Sequence, residues 1–198
     1  MIRPGGAKAP RLVLASASPR RAAILADLGA AFVVRPANAE EPRLGDPVAS
    51  VRAAALAKHA AAARAAAPHE ALLAADTLVA CDGEEIGKPR DRADAVAMLL
   101  RLAGREHLVH TAVALSAPGC GAKPEVFVET SSVRFRPLSR TDAEAYLDDA
   151  RTLDRAGAYD IATLGDRVVE SFSGSYTNVM GLPAERVGPW LAAHGLLS

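Results

Sequence analysis

The chain has 198 residues, which fits one domain over 1–198, or two lobes sharing one core, and is long enough to bury a substantial interior. Its 23 Lys and Arg balance 23 Asp and Glu, so the broad basic footprint of a nucleic-acid-binding protein is missing and any phosphate must be held by a local site. Half the residues are hydrophobic, yet no window approaches the run of about 18 uncharged apolar residues that a membrane span needs, which excludes a transmembrane role.

Two cysteines, Cys81 and Cys120, are too few for a disulfide framework or a zinc site and read as reduced thiols, with the cytoplasm as the expected compartment. Arg3 and Lys8 precede an apolar run, Leu12 to Ala15, but Arg11 abuts that run and Pro19-Arg20-Arg21 soon ends it, so it is not read as a signal peptide. The preference for Arg and the wealth of Ala read as coding bias rather than chemistry.

Leu12 to Ala15 predicts a short strand that ends at Ser16-Ala17-Ser18-Pro19, where Ser18 caps a helix starting at Pro19 and stopping at Gly29. Phe32 to Val34 reads as a second strand and Pro36 to Asp46 as a loop carrying Glu40 and Glu41. Asp46 then caps a long helix running from Pro47 to just before Pro68, with Val48, Val51, Ala55 and Leu56 on its buried side. Ala71 to Cys81 has the apolar character of a central strand, interrupted by Asp76-Thr77. A turn at Asp82-Gly83, the segment Gly87-Lys88-Pro89 and a helix from Asp91 to Ala103 follow. Glu106 to Ser116 and Glu125 to Phe135 predict a hairpin turning at Pro118-Gly119-Cys120-Gly121. Ser139 and Asp142 resemble a capping box opening a helix. Arg167 to Phe172 reads as a strand, Gly174 to Pro183 as a loop, and the tail through Trp190 as a closing helix. Units of β-α type mixed with a hairpin give an α/β fold with a mixed sheet.

Three places could carry chemistry. The turn Ser16-Ala17-Ser18-Pro19-Arg20-Arg21 combines helix-start N–H groups, two hydroxyls and two guanidinium groups, all suited to phosphate oxygens, although Ser-Pro is also an ordinary helix opening. Asp76 stands in an apolar strand, where a carboxylate is costly unless paired, hydrogen-bonded or bound to metal; a strand-end cap is the structural alternative. Gly83 to Lys88 departs from the Walker spacing and Pro89 follows the lysine, which disfavours a P-loop enzyme and leaves Lys88 as a point charge on a rigid turn. His107 and His110, three apart in a strand, face opposite ways and suit structural roles better than a shared metal. Phe172, Tyr176 and Trp190 read as core or lobe-contact residues.

With these residues in view, the sequence resembles the Maf family of nucleoside triphosphate pyrophosphatases over nearly its whole length. The resemblance rests on Leu14-Ala15-Ser16-Ala17-Ser18-Pro19-Arg20-Arg21, Glu41, Lys58, Ala75-Asp76-Thr77-Leu78-Val79, Gly87-Lys88-Pro89 and Leu102 to His107 with Thr111. Asp154-Arg155-Ala156-Gly157-Ala158-Tyr159 and Gly174 to Pro183 complete it. It implies a two-lobed fold of the Maf and ITPase-like type with a central cleft, a homodimer, and hydrolysis of a nucleoside triphosphate to monophosphate and pyrophosphate. It also implies a divalent cation, Mg²⁺ or Mn²⁺, at Glu41 and Asp76, with Asp76 as general base. Substrate binding would fall to Ser16, Ser18, Arg20, Arg21, Lys58, Thr77, Lys88 and the specificity position at Ala162. No nucleic-acid polymer or membrane is an expected partner.

Family substrate choice is tuned at positions matching Arg20, Thr77 and Ala162. The dTTP and UTP branch commonly has Gln at the third, after a Tyr-Gly-Ile run, and the 7-methyl-GTP branch commonly has Glu. Here the run is Tyr159-Asp160-Ile161-Ala162. Ala156-Gly157-Ala158-Tyr159 looks closer to the pyrimidine branch, so dTTP, UTP or modified pyrimidine nucleotides are expected. A 7-methyl-GTP pyrophosphatase and a non-catalytic nucleotide-binding regulator of septum formation are the alternatives.

Overall fold

The structure is a computed structural model that describes residues 11–119 and 123–197. Its framework is the twelve-residue strand β3 (Glu70–Cys81), apolar on both faces and buried almost throughout. Such a strand can only lie at the centre of a sheet covered on both sides. Before it come β1 (Arg11–Leu14), α1 (Pro19–Asp27), β2 (Phe32–Val34) and α2 (Pro47–Ala63); after it come β4 (Glu84–Ile86), α3 (Arg92–Leu102), β5 (Glu106–Ser116) and β6 (Glu125–Phe135). The chain closes with α4 (Arg140–Ala150), a 3-10 turn (Ala156–Ala158), α5 (Gly165–Val168), β7 (Val169–Ser173), α6 (Tyr176–Val179) and α7 (Ala184–Ala193). The sheet order is β2-β1-β3-β5-β6-β7, with β4 also on β3. β1 is parallel to β2 and β3, and the other pairs are antiparallel, so the sheet is mixed as the sequence predicts.

The two edges of β3 are used differently. β5 pairs along one edge from Leu72 to Ala80. The other edge is divided: β1 pairs with Glu70 to Leu73, and β4 with Val79 to Cys81. Among the described residues no strand fills that edge from Ala74 to Leu78. β4 reaches its place because Asp82 and Gly83 both take positive φ, 55° and 78°, which gives the tight two-residue turn of a hairpin.

Strand alternation sorts the core. On one face, Val51 and Ala55 of α2 pack against Leu78, Ala80, Ala112 and Ala114, while Ala62 meets Val13, Ala15, Leu72 and Ala74. The opposite face has two groups of helices. α1 and α7 pack through Ile24, Leu25, Val187 and Leu191 on Leu12, Leu14 and Leu73; α3 and α4 pack through Leu99, Leu102 and Tyr146 on Val79, Val109 and Val133. Asp76 and Thr77 sit where these groups part company.

Several expectations need correction. α2 ends at Ala63, with a turn carrying Arg64 and Ala65, so Ala66 and Ala67 fall outside it. Val48 is 41% exposed because packing onto the sheet begins one turn later, at Val51. Arg167 and Val168 belong to α5, closed by the Arg167 N–H donating to the Leu164 carbonyl, and the strand starts only at Val169. The glycine-punctuated segment contains α6, capped by Ser175, and β4 adds a strand that the sequence did not suggest. Phe172 on the edge strand β7 and Tyr176 at the start of α6 are exposed and meet each other, 5.7 Å between ring centres; Trp190 alone of the three lies against the core. Cys120 and Gly121 of the hairpin turn lie outside the described residues.

Where β2 ends, Arg35 grips Glu70 at the start of β3 with two hydrogen bonds of 2.9 and 2.8 Å, and the Ala67 N–H donates to the same carboxylate. The Arg35 hydrogen bonds, helped by that N–H, hold the Glu70 carboxyl down at about 2. Its stabilising effect is therefore complete above the ordinary range near 4.5 and is lost as pH falls toward 2. Glu70→Gln is expected to lower Tm at neutral pH and to flatten the acid side of the Tm–pH curve; an acid limb as steep as wild type would refute this role.

Candidate active site

The stretch of β3 unpaired along one edge opens into a cleft of about 590 Å³, a size suited to a small ligand. It lies beyond the carboxyl end of β1, where open α/β sheets bind ligands. Alternation turns Asp76 toward α2 and Thr77 toward α1, so neighbours in sequence serve different sides of the site.

Asp76 is buried, and its Oδ1 accepts from Lys58 Nζ at 2.6 Å. The same ammonium pairs with Glu41 Oε1 at 2.8 Å. Lys58 is thus a cation between two carboxylates, one from the sheet and one from the loop before α2. That loop is tied in place by Arg43, 3.1 Å from Glu85 of β4, and by the Leu44 N–H, which donates to Ser50 at 2.8 Å. Burial alone pushes the Glu41 carboxyl up, but the Lys58 hydrogen bond and the charges of Lys58, Lys88 and Arg43 outweigh it and leave it below its usual range. Lys88 lines the cleft and makes no ion pair among the described residues.

The start of α1 forms the next part of the wall. The Ser18 side chain caps the helix through the Arg21 N–H at 3.5 Å, and the Ser18 N–H donates to Ser16 Oγ at 3.2 Å. Arg21 is buried and fully engaged: its guanidinium donates to Ser16 Oγ, Thr77 Oγ1 and the Gly181 carbonyl at 3.0, 3.0 and 2.8 Å. Burial draws it down to about 10, so it stays a cation at neutral pH. Gly181 has to be glycine here, since φ is +107° and a Cβ would lie 3.2 Å from Thr77 Oγ1. Thr111 donates to the Asn178 carbonyl at 3.0 Å, so the 3.0 Å contact between the two threonines takes its proton from Thr77. The Asn178 carbonyl therefore fixes the direction of the hydroxyl chain, and Thr77, its proton directed to Thr111 and one lone pair taken by Arg21, faces the cleft as an acceptor.

A second charged group occupies the other end. Arg20 Nη1 donates to Asp160 Oδ2 at 2.9 Å, Arg155 approaches the same oxygen at 3.5 Å, and the Ala162 N–H donates to Oδ1 at 3.0 Å. Burial pulls the Arg20 guanidinium below its ordinary value, with Asp160 opposing. Ala162 itself is exposed and stands outside the cleft wall, which it serves through its backbone.

Ser16, Ser18, Arg20, Arg21, Glu41, Lys58, Asp76, Thr77 and Lys88 thus gather around one cleft, in two charged poles with Arg21 between them. Sequence reasoning missed Arg43, Arg155 and Asp160 as wall residues. Asp160 and Arg155 sit in an irregular segment with no periodicity to betray burial; an acid next to a tyrosine and an arginine next to a glycine turn were the available signals. His107 and His110 have separate partners, Tyr159 Oη at 3.0 Å and Thr130 Oγ1 at 2.9 Å, and burial pushes His107 down to about 4.

Among the described residues no three His, Cys, Asp or Glu side chains form a closed metal cage. Glu41 and Asp76 do converge, each with an oxygen beyond the one bonded to Lys58. This fits a cation such as Mg²⁺, which uses one or two carboxylates and completes its shell with water and substrate phosphates.

Fold and site together define an α/β protein whose charged cleft is built around a buried carboxylate. The chain belongs to the Maf family: residues 11–194 match the family model described as Maf-like protein. Its relatives include the dTTP/UTP pyrophosphatase of Symbiobacterium thermophilum, 42% identical over 186 residues that cover 93% of this chain and 94% of the relative. The enzyme of the same description from Moorella thermoacetica is 43% identical, covering 94% and 96%. Among solved structures, a HAM1 protein from Coxiella burnetii shares the fold with a TM-score of 0.53 at 14% identity, over 93% of this chain and 99% of that one.

Because Lys58 holds Glu41 down against its burial, Lys58→Met is expected to raise the pH at which Glu41 titrates. Carboxyl ¹³C NMR on labelled protein, with Glu41→Gln for assignment, reads this directly. An unmoved Glu41 signal would remove Lys58 as the cause.

Proposed function

We propose that this protein is a nucleoside triphosphate pyrophosphatase that converts dTTP and UTP to the monophosphate and pyrophosphate, with Asp76 as the general base. The reading is carried by one observation: a buried strand carboxylate bonded to Lys58, beside Glu41, at the open edge of the sheet. It is supported by family membership and by relatives of 40–43% identity described as dTTP/UTP pyrophosphatases.

Asp76 Oδ1 is engaged by Lys58, so Oδ2 takes the proton of the attacking water. The water oxygen bonds to the α-phosphorus, the bond to the oxygen bridging toward the β-phosphorus breaks in line, and pyrophosphate leaves. Lys58 and Lys88 offset the negative charge of the phosphates, and Ser16, Ser18 and the N–H groups at the start of α1 bind phosphate oxygens. Arg21 positions Ser16 and Thr77 by holding both. Glu41 would hold a divalent cation, Mg²⁺ or Mn²⁺, and Asp76 its bound water, and the cation supplies charge neutralisation on the phosphates when bound. The substrate is a free nucleotide and not a polymer. By family resemblance the protein acts as a homodimer in the cytoplasm; no helix among the described residues is long and apolar enough to cross a membrane.

Pyrophosphate release with Mg²⁺ over a panel of standard and methylated nucleoside triphosphates tests the assignment. Asp76→Asn is expected to lose about 100-fold or more in kcat, with dTTP and UTP ranked first for the wild type. Near-wild-type turnover by the variant would remove Asp76 as the base. Nucleotide binding without any release would make the protein a binding module, and a top rank for 7-methyl-GTP would move it to that branch.

A further inference from the structure

The pole at Arg20, Asp160 and Arg155 has no part in the proton transfer or phosphate binding set out above. Asp160 is 5% exposed yet lines the cleft, and two guanidinium groups share its one carboxylate. A buried carboxylate is tolerated under such pairing, but the pairing is not complete on the arginine side. Among the described residues the buried Nε of Arg20 has no hydrogen-bond partner, a costly state that a ligand could relieve, whereas Arg155 Nε at least faces Asp154 Oδ1 at 3.3 Å. The carboxylate has capacity left as well. Its two oxygens offer about four acceptor sites, of which Arg20, the Ala162 N–H and the longer Arg155 contact use three.

The group is also held unusually firmly. The Asp160 N–H donates to Tyr146 Oη at 3.0 Å, so backbone and side chain are both fixed. The segment that carries Arg155 and Asp160 is bounded by Arg151 and Leu164 and interrupted by Ala158, three non-glycine residues with positive φ of 45°, 55° and 58°. Strain of that kind persists where surroundings enforce it, and it accompanies sites that need a set geometry. Residue 162 brings no polar side chain, so the charged side chains of this segment on the cleft are Arg155, the exposed Asp154 that pairs with it, and the buried Asp160, faced by Arg20.

We propose that Asp160 is a specificity-determining residue that reads the base. Its carboxylate accepts the ring N–H of a base while Arg20, held beside it, donates to the adjacent carbonyl. The inference rests on the nucleotide pyrophosphatase reading and adds the group that chooses the nucleotide. A guanidinium next to a carboxylate offers a donor beside an acceptor, and the complementary edge is a carbonyl beside a ring N–H. Among pyrimidines that edge belongs to uracil and thymine. Cytosine reverses it, setting an amino group against the guanidinium and a bare ring nitrogen against the carboxylate, two repulsive contacts in a largely desolvated pocket. Arg155 acts as a positioning residue that holds the carboxylate in place.

The test compares UTP with CTP for wild type, Asp160→Ala and Asp160→Asn. It uses kcat/KM for each nucleotide, and calorimetric Kd values with the three proteins carrying Asp76→Asn so that the nucleotide stays intact. Wild type is expected to prefer UTP. Loss of one charged hydrogen-bond partner should cut the UTP-to-CTP ratio by about 10-fold or more in Asp160→Ala. Asp160→Asn keeps the shape, and its amide can present either its oxygen or its NH₂, so it should accept both bases while folding normally by Tm. A ratio unchanged in both variants would overturn the inference even with turnover intact. Absence of turnover in wild type would instead overturn the pyrophosphatase reading, and the Kd ratios would still decide the role of Asp160.

Discussion

A carboxylate in the middle of a buried central strand is the constraint on which the site depends. Asp76 would be intolerable there if β3 were paired along both edges and covered on both faces, because desolvating an unpaired carboxylate costs more than any one apolar contact returns. The fold accommodates it by leaving Ala74 to Leu78 without a strand on one side, among the described residues, and by laying α2 so that Lys58 reaches it at 2.6 Å. The interrupted edge, the position of α2 and the loop bringing Glu41 to the same ammonium are parts of one solution. The opening that makes the carboxylate bearable also makes it reachable.

The cleft that results is polarised along its length. One end is centred on Lys58 between two carboxylates, and the other on Asp160 between two arginines. A nucleoside triphosphate is itself polarised, with its charge at one end and a hydrogen-bonding ring at the other. Arg21 belongs to neither end. With its guanidinium spent on Ser16, Thr77 and Gly181, it ties the start of α1, the centre of β3 and the segment after α6 together. Its burial among neutral oxygens is a structural use of a residue type that sequence reasoning associates with phosphate.

Much of this was legible in the sequence where the physics is local. The Ser18 and Asp46 caps, the Asp82-Gly83 turn, the capping box at Ser139 and the apolar strand around Asp76 all depend on residues within a few positions of one another, and each stands as expected. Features set by distant partners were not legible. Whether Val48 is covered depends on where the sheet ends, and β4 is too short to carry a periodic signal. Arg155 and Asp160 lie in a segment shaped by positive-φ residues, where neither period 2 nor period 3.6 applies. For the site the same division holds. Asp76 stood out because its surroundings in sequence contradict it, whereas the partners of Arg20 and Arg21 are set by contacts across 140 and 160 positions.

The alanine content, uninformative as composition, acquires a meaning at the contact between α2 and the sheet. Ala55 and Ala62 meet Ala15, Ala74, Ala80, Ala112 and Ala114, a seam made largely of methyl groups. Such a seam seats the helix close to the strands, and alanine has no rotamers to freeze on burial or to recover on warming. Lys58, mounted between Ala55 and Ala62, therefore stands on a platform with few internal degrees of freedom. Backbone geometry thus sets where the Lys58 stem starts relative to Asp76, and its flexible four-carbon chain covers the rest of the distance.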